Sequence, residues 1–396
     1  MKVLYCNPVF FEYRLPFYKE LVRLFDGNFF VMYSPVRFKI CKKEKFCQQV
    51  KEELGDNAIP LSTDHVFDTY SKRLDQMPDI EKGKRLPLTF GLIRAIRKFR
   101  PDVLITEGYF QWTPLVLLYG IIYRVPIYMG YERTLHTERN TGKLKTFQRK
   151  LFYIFFAGFI VNGNETKKYL LSLGVDEKKI HIGGMSADSE GLQKGIALMS
   201  DEEKKTLRKR FVGEQGLAFL FSGNITERKG IDLLLEAWRI HIVTHSDDHL
   251  IIIGHGDLSD ALEAEYKNFS SVHFLGQIPY TTVYQYYAIA DVFILPTIED
   301  NWSLVIPEAM ACGLPVATSI YNGCHSELIK KITETELGNG CTFDTFDQQS
   351  LIDALSFFHR KELKAMGEKS IEIEKLYNTS NCTRRVYEIL SNKSTI

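Results

Sequence analysis

The sequence predicts an α/β protein of two Rossmann-like halves, each a parallel sheet covered by helices on both faces. Three observations predict it. At 396 residues the chain exceeds one domain of ordinary size, and its 45% hydrophobic and 13% aromatic content suffices for two cores. Short β-branched and aromatic runs alternate with helical patterns in both halves. Between the halves, residues 184–216 lapse into GMSADSEGLQKG and a charged helix, SDEEKKTLRKRF, which reads as the linker.

The elements follow in order. KVLYC is the first strand, and a helix begins at about Pro16; FFVMYS is the second strand, followed by a long polar stretch. A helix then ends at Arg100, and Pro101-Asp102 punctuates it from the strand DVLIT. VPIYMG, AGFIVNG and KKIHIGG complete the first sheet. The second half restarts with LAFLFSGNI, a helix over 229–242, HLIIIGHG, a helix, SVHFLG, a helix, and the strand ADVFILP. Two helical stretches over 361–390 break near Asn378. The domains are therefore 1–188 and 189–375, with a terminal helical segment 376–396.

Composition excludes several classes. The opening MKVLYCNPVFF has no small-residue cleavage site and reads as a strand rather than a signal peptide. Seven cysteines lie scattered, with Cys41 and Cys47 the near pair and no metal-type CxxC, so reduced, cytosolic thiols are expected. LFYIFFAGFIV, residues 151–161, is the longest apolar run; it falls short of the ~20 residues that span a bilayer and reads as a buried helix end entering a strand. Net charge is +1, but residues 1–188 hold 30 Lys and Arg against 20 Asp and Glu, while the remainder holds 20 against 29. Basic segments KICKKEKF (39–46), IRAIRKFR (93–100) and KLKTFQRKLF (143–152) mix charge with apolar residues, a pattern of solvated helix faces or of an anionic membrane surface. Near-neutral composition without a binding motif argues against nucleic acid.

Residues 296–327, PTIEDNWSLVIPEAMACGLPVATSIYNGCHSE, concentrate the chemistry. A buried strand ends at Pro296, Asp300 and Asn301 follow in a loop, and Ser303 precedes a helical pattern that begins at about Leu304, where it can cap the first free N–H groups. A helix N-terminus at the carboxyl edge of a parallel sheet offers amides and a positive dipole to a diphosphate. Asp300 and Glu308 can accept hydroxyls from different parts of one ligand. Gly323, in the next loop, permits close backbone approach to a ligand.

This segment resembles the family 4 retaining glycosyltransferases of GT-B fold, whose hallmark is an acid, seven residues, Glu, then Ala-Met-Ala-Cys-Gly-x-Pro-Val and a Gly-rich loop ending in Glu. The resemblance covers most of the chain, strongly over 216–330 and weakly before 100. It implies two Rossmann-like domains facing across a deep cleft, an acceptor-binding domain first and a nucleotide-sugar-binding domain second, with the last helix returning to the first. By it, Asp300 contacts the donor sugar, Glu308 takes the ribose hydroxyls, and the amides of Leu304 and Val305 hold the phosphate. Asp300 stands where the family usually has Glu; Glu299 is out of register and reads as a bystander.

SGNITERKGIDLLLEAW resembles the family's second donor motif. Lys229 matches its lysine, Asn224, after Gly223, stands where an Arg is usual, and Arg228 is expected to share the phosphate with Lys229. Gly254 belongs to a Gly-x-Gly turn, and the backbone of Gln277 and Ile278 lies where the family holds the base. On the acceptor side, YRLPFYKEL resembles the start of several family members, which implies that Arg14 reaches into the cleft from the first loop, and Glu107 and Glu132 end or follow strands, where cleft residues are drawn from. His136 lies a few residues beyond the family's usual His and reads first as a surface-loop residue.

The expected activity is metal-independent transfer of a hexose-type sugar, with retained configuration, from a nucleotide donor, UDP-sugar favoured, to a glycan or lipid-linked acceptor. No cofactor or metal is expected; Asp247-Asp248, the nearest acid cluster, reads as a turn. Cell-surface polysaccharide or glycolipid synthesis, in the cytoplasm or peripherally on the inner face of the membrane, follows. The rivals are a non-hydrolysing sugar-nucleotide epimerase, a non-catalytic sugar-nucleotide-binding subunit of a membrane assembly, and a Rossmann oxidoreductase, which lacks its GxGxxG after the first strand.

Overall fold

The computed structural model describes residues 1–8, 12–36, 44–61, 89, 91–187, 189–213, 215–333, 336–359 and 361–392. Within these, the strands are β1 Val3–Cys6, β2 Phe29–Tyr33, β3 Ala58–Pro60, β4 Val103–Glu107, β5 Ile127–Tyr131, β6 Gly158–Val161, β7 Ile180–Ile182, β8 Ala218–Ser222, β9 His249–Ile253, β10 Val272–Phe274, β11 Val292–Leu295, β12 Val316–Ser319 and β13 Gly340–Phe343. They form two parallel sheets, ordered β3-β2-β1-β4-β5-β6-β7 and β10-β9-β8-β11-β12-β13. Sheet order reverses between β1 and β4 in the first and between β8 and β11 in the second.

Alternation along each strand feeds two layers. Val3, Tyr5, Val31, Tyr33 and Ile105 join one core cluster, whereas Leu4, Cys6, Met32, Leu104 and Met129 join another on the opposite face. Because both faces are covered, β1, β4 and β11 are buried along their full length. Such strands read as continuous apolar runs, which is why they stand out in the sequence.

The stretch expected to be a linker is largely folded. Ser189–Leu198 is a helix whose Gln193 donates to the Ala311 carbonyl at 3.0 Å and whose Ser189 hydroxyl donates to buried Glu374 at 2.6 Å. The next helix, Asp201–Lys209, starts in a capping box between Ser200 and Glu203. Both belong to the second domain. The chain leaves that domain after the helix Leu363–Lys375, and a helix over Thr379–Ser391, capped by Asn378, packs on the first. There Cys382, Val386 and Leu390 enter the core of Val3 and Tyr5, and Tyr387 meets Phe25 edge-on at 4.8 Å.

The apolar run 151–161 also differs from expectation. It ends the helix Lys143–Phe152 and enters β6, but Leu151 and Ile154 are each 52% exposed. Its helix end is not buried. Among the described residues, no helix is long and apolar enough to cross a membrane.

Candidate functional site

The carboxyl edges of the two sheets face each other, and an ion pair stands at each point where strand order reverses. In the first domain Arg14, which begins the helix after β1, meets Glu107 at the end of β4 at 3.0 Å. Tyr5 donates a hydrogen bond to the same carboxylate. In the second domain Lys229, from the loop after β8, meets Asp300, from the loop after β11, at 2.5 Å. Their side chains are only 12% and 14% exposed. Crevices at such reversals are where open parallel sheets bind ligands.

Local sequence explains how Lys229 gets there. It closes the short turn Glu227–Lys229 rather than opening a helix, and Gly230, with φ 65, then starts Ile231–Thr244. Arg228 is exposed at the rim and donates to the Glu299 carbonyl at 3.3 Å, and its charge acts on Asp300 together with that of Lys229. Asn224 is exposed on the same loop.

Asp300 is held from several sides. The Ser303 hydroxyl donates to it at 2.7 Å, so Ser303 serves the carboxylate and not the helix end, which lacks a side-chain cap and begins at Val305 after Leu304. Burial works against its charge, yet the Lys229 ammonium, with Ser303, keeps its carboxyl below the usual range. Behind it Asn322, fully buried, accepts from the Ser303 amide and pairs with Asp300 as a parallel bridge. Gly323 makes its close approach to protein: a Cβ there would lie 2.0 Å from the Asn301 carbonyl. The glycine thus packs one loop closely onto the other. Glu308, on the helix Val305–Ala311, accepts from the Tyr280 hydroxyl at 3.3 Å.

Gly223 and Gly254 also pack on each other. A Cβ on Gly254, whose φ is 138, would fall 1.8 Å from the Gly223 carbonyl, so no larger residue fits where β8 and β9 end. Gln277 and Ile278 follow β10 on the same carboxyl edge, Gln277 exposed.

Contacts across the domains gather around this site. Glu132, after β5, has its carboxyl pushed up to about 7, first by burial and then by the charge of Glu107, with Asp300 adding and Arg14 opposing. One acid thereby senses both ion pairs. His136 is no surface residue: its Nε2 donates to the Ile298 carbonyl at 2.8 Å, and its ring stacks on Tyr321 at 4.5 Å. Glu299, out of register with the donor motif, pairs with Arg139 of the other domain at 2.6 Å. Glu327 accepts from the backbone N–H of Asn164, the first residue of the helix Asn164–Ser172, so a carboxylate of one domain caps a helix of the other. Sequence reasoning assigned nothing to Glu327 or Asn322. Only the Glu closing the glycine loop carried a signal.

Comparisons with known proteins agree with this geometry. A model described as glycosyl transferases group 1 matches residues 216–360, and one described as glycosyltransferase family 4 matches 52–183. An uncharacterized glycosyltransferase of Methanocaldococcus jannaschii is 35% identical over 136 residues, 33% of this chain and 34% of that protein. The chain thus spans about a third of that relative's length. The O-antigen biosynthesis glycosyltransferase WclY of Escherichia coli is 23% identical over 328 residues, 79% of this chain and 82% of that one. The solved structure of Anabaena HepE in complex with UDP superposes with a TM-score of 0.74 at 14% identity, covering 99% of this chain and 100% of that one. That likeness places the fold in the GT-B class.

Proposed function

We propose that this chain, which matches the glycosyl transferases group 1 model over residues 216–360 and the glycosyltransferase family 4 model over 52–183, moves a hexose-type sugar from a nucleoside diphosphate to a hydroxyl of a glycan or lipid-linked glycan. The observation that carries this reading is the Lys229–Asp300 pair at the β8/β11 reversal, with Glu308 on the adjoining helix. Lys229 is the cation that neutralises the diphosphate; Asp300, freed of part of that pairing, accepts donor sugar hydroxyls, and Glu308 accepts those of the ribose. Arg228 supplies long-range positive charge from the rim. Leu304 and Val305 amides and the backbone of Gln277 and Ile278 complete the donor contacts.

The acceptor hydroxyl attacks the anomeric carbon on the face the phosphate leaves. The new glycosidic bond forms as the bond to phosphate breaks, and the hydroxyl proton passes to the departing phosphate oxygen, so configuration is retained. Glu132, Glu107 and Arg14 line the acceptor side. Fixed positive charge at Lys229 stabilises the leaving group without a metal ion. UDP is favoured because the HepE structure was solved with UDP, and a polysaccharide product because WclY is named for O-antigen biosynthesis.

The test is a thermal-shift series with UDP, GDP and ADP, followed by transfer assays with their sugars. UDP at a hundred times its Kd should stabilise the fold by about 2.7 kcal/mol. Glu308→Ala should lose that shift and all transfer while its circular dichroism is unchanged. Full transfer by Glu308→Ala would remove the donor-site assignment.

A membrane surface is the proposed second partner. On the helix Lys143–Phe152, Leu144 is 83% and Phe147 64% exposed beside exposed Lys143, Lys145 and Lys150. Apolar side chains set among lysines fit an anionic bilayer surface. The segment 39–46 lies mostly outside the described residues. Co-sedimentation with vesicles should favour anionic over zwitterionic lipid, and Leu144→Asp with Phe147→Asp should abolish it; equal binding to both lipids counts against this surface.

A further inference from the structure

At the opposite, amino-terminal edge of the second sheet, a buried carboxylate gathers imidazoles. Asp248 precedes β9 and is 1% exposed, so the pair Asp247-Asp248 is more than a solvated turn. Its Oδ1 accepts from the Leu217 amide at 2.7 Å, which fixes the plane of the carboxylate. Its Oδ2 meets His241 Nε2 at 2.8 Å and His359 Nε2 at 2.9 Å. His241 comes from the helix Ile231–Thr244, and His359 follows the helix Gln348–Ser356. These ligand atoms all lie within 4.8 Å of one another. His245 stacks on His359 with ring centroids 3.8 Å apart.

His241 is fully buried beside Trp238 and Phe219, which hold its Nε2 against Asp248. The spacing of the three ligand atoms is what suits an ion. Tetrahedral coordination with bonds of about 2.0–2.1 Å separates neighbouring ligand atoms by roughly 3.3 Å, a value between the 2.8 Å contact and the 4.8 Å limit seen here. Small rotations of the 25% exposed His359 would meet it.

We propose that His241, Asp248 and His359 bind a divalent transition-metal ion, with water in the remaining position. Two imidazoles and one carboxylate suit zinc and its neighbours in the first row rather than calcium or magnesium. The Leu217 amide supplies the outer hydrogen bond that orients the carboxylate. The ion would tie together the helix Ile231–Thr244, the start of β9 and the turn at His359, far from Lys229 and Asp300. Its part is to stabilise the fold; sugar transfer does not draw on it.

The untagged full chain, stripped with EDTA, is dialysed against Zn2+ and the bound metal measured, with Co2+ absorption as the spectroscopic readout. About one ion per chain should bind, raise Tm, and give visible Co2+ bands. His359→Gln should weaken binding by about a hundredfold without unfolding the chain. His273→Ala, which alters the separate His249–His273 contact at 3.0 Å, should leave binding intact. The proposal is overturned by the absence of binding, by unchanged affinity in His359→Gln, or by loss of binding in His273→Ala alone.

Discussion

Lys229→Ala should lose transfer by about a hundred- to a thousandfold and should also destabilise the folded protein by about 3 kcal/mol. The two losses have different causes. The activity loss is that of a fixed positive charge aimed at a diphosphate. The stability loss arises because Asp300, 14% exposed, would keep a negative charge with its Lys229 partner gone. Ser303 still donates to it, but a hydroxyl offsets less of that charge than an ammonium does.

A double variant separates them. Lys229→Met combined with Asp300→Leu replaces the pair by apolar side chains of similar volume, and stability should return to within about 1 kcal/mol of the parent. Transfer should not return. Denaturant melts give the first quantity and a donor-saturated transfer assay the second. If the double variant recovers activity along with stability, the pair is structural and the phosphate assignment to Lys229 fails.

The fold was largely legible because its central strands are buried on both faces. β4 opens with the apolar run Val103–Ile105 and β11 is apolar throughout, and each is followed by a helical period. β3 and β13 were not legible. Both are sheet edges, one ending in Pro60 and the other beginning with Gly340, and these residues interrupt the apolar pattern by which the equally short edges β7 and β10 were read. On the site, residue types and spacing pointed to Asp300 and Glu308 as hydroxyl acceptors, and the family resemblance added Lys229. Spacing could not reveal what each carboxylate or hydroxyl touches. Ser303 was placed correctly on its loop but given the wrong partner, since its hydroxyl serves Asp300 and not the helix end, and Gly323 also packs on its neighbour Asn301. His136, Glu299 and Glu327 form contacts between domains, and no local period encodes those.

Glu132→Gln should flatten the pH dependence of stability. Burial, reinforced by the charges of Glu107 and Asp300 and opposed by Arg14 and a hydrogen bond with Asn162, lifts the Glu132 carboxyl to about 7. In the unfolded chain the same group ionises in the ordinary carboxylate range. Between that range and 7 the native state therefore holds a proton that the unfolded state releases. Its contribution to stability is complete below the ordinary range and is lost as pH rises through 7, a change of up to about 3 kcal/mol. Glutamine keeps the shape and cannot ionise, so the variant should match the parent near pH 4.5 and exceed it above 7. Melting curves across that interval measure the difference. Parallel curves for the two proteins would mean that Glu132 is ionised in the fold at all these values. If instead the curves diverge as the sign requires, a carboxyl facing both ion pairs gains and loses its proton near neutrality, and the acceptor side of the cleft has a group able to exchange one with a bound hydroxyl.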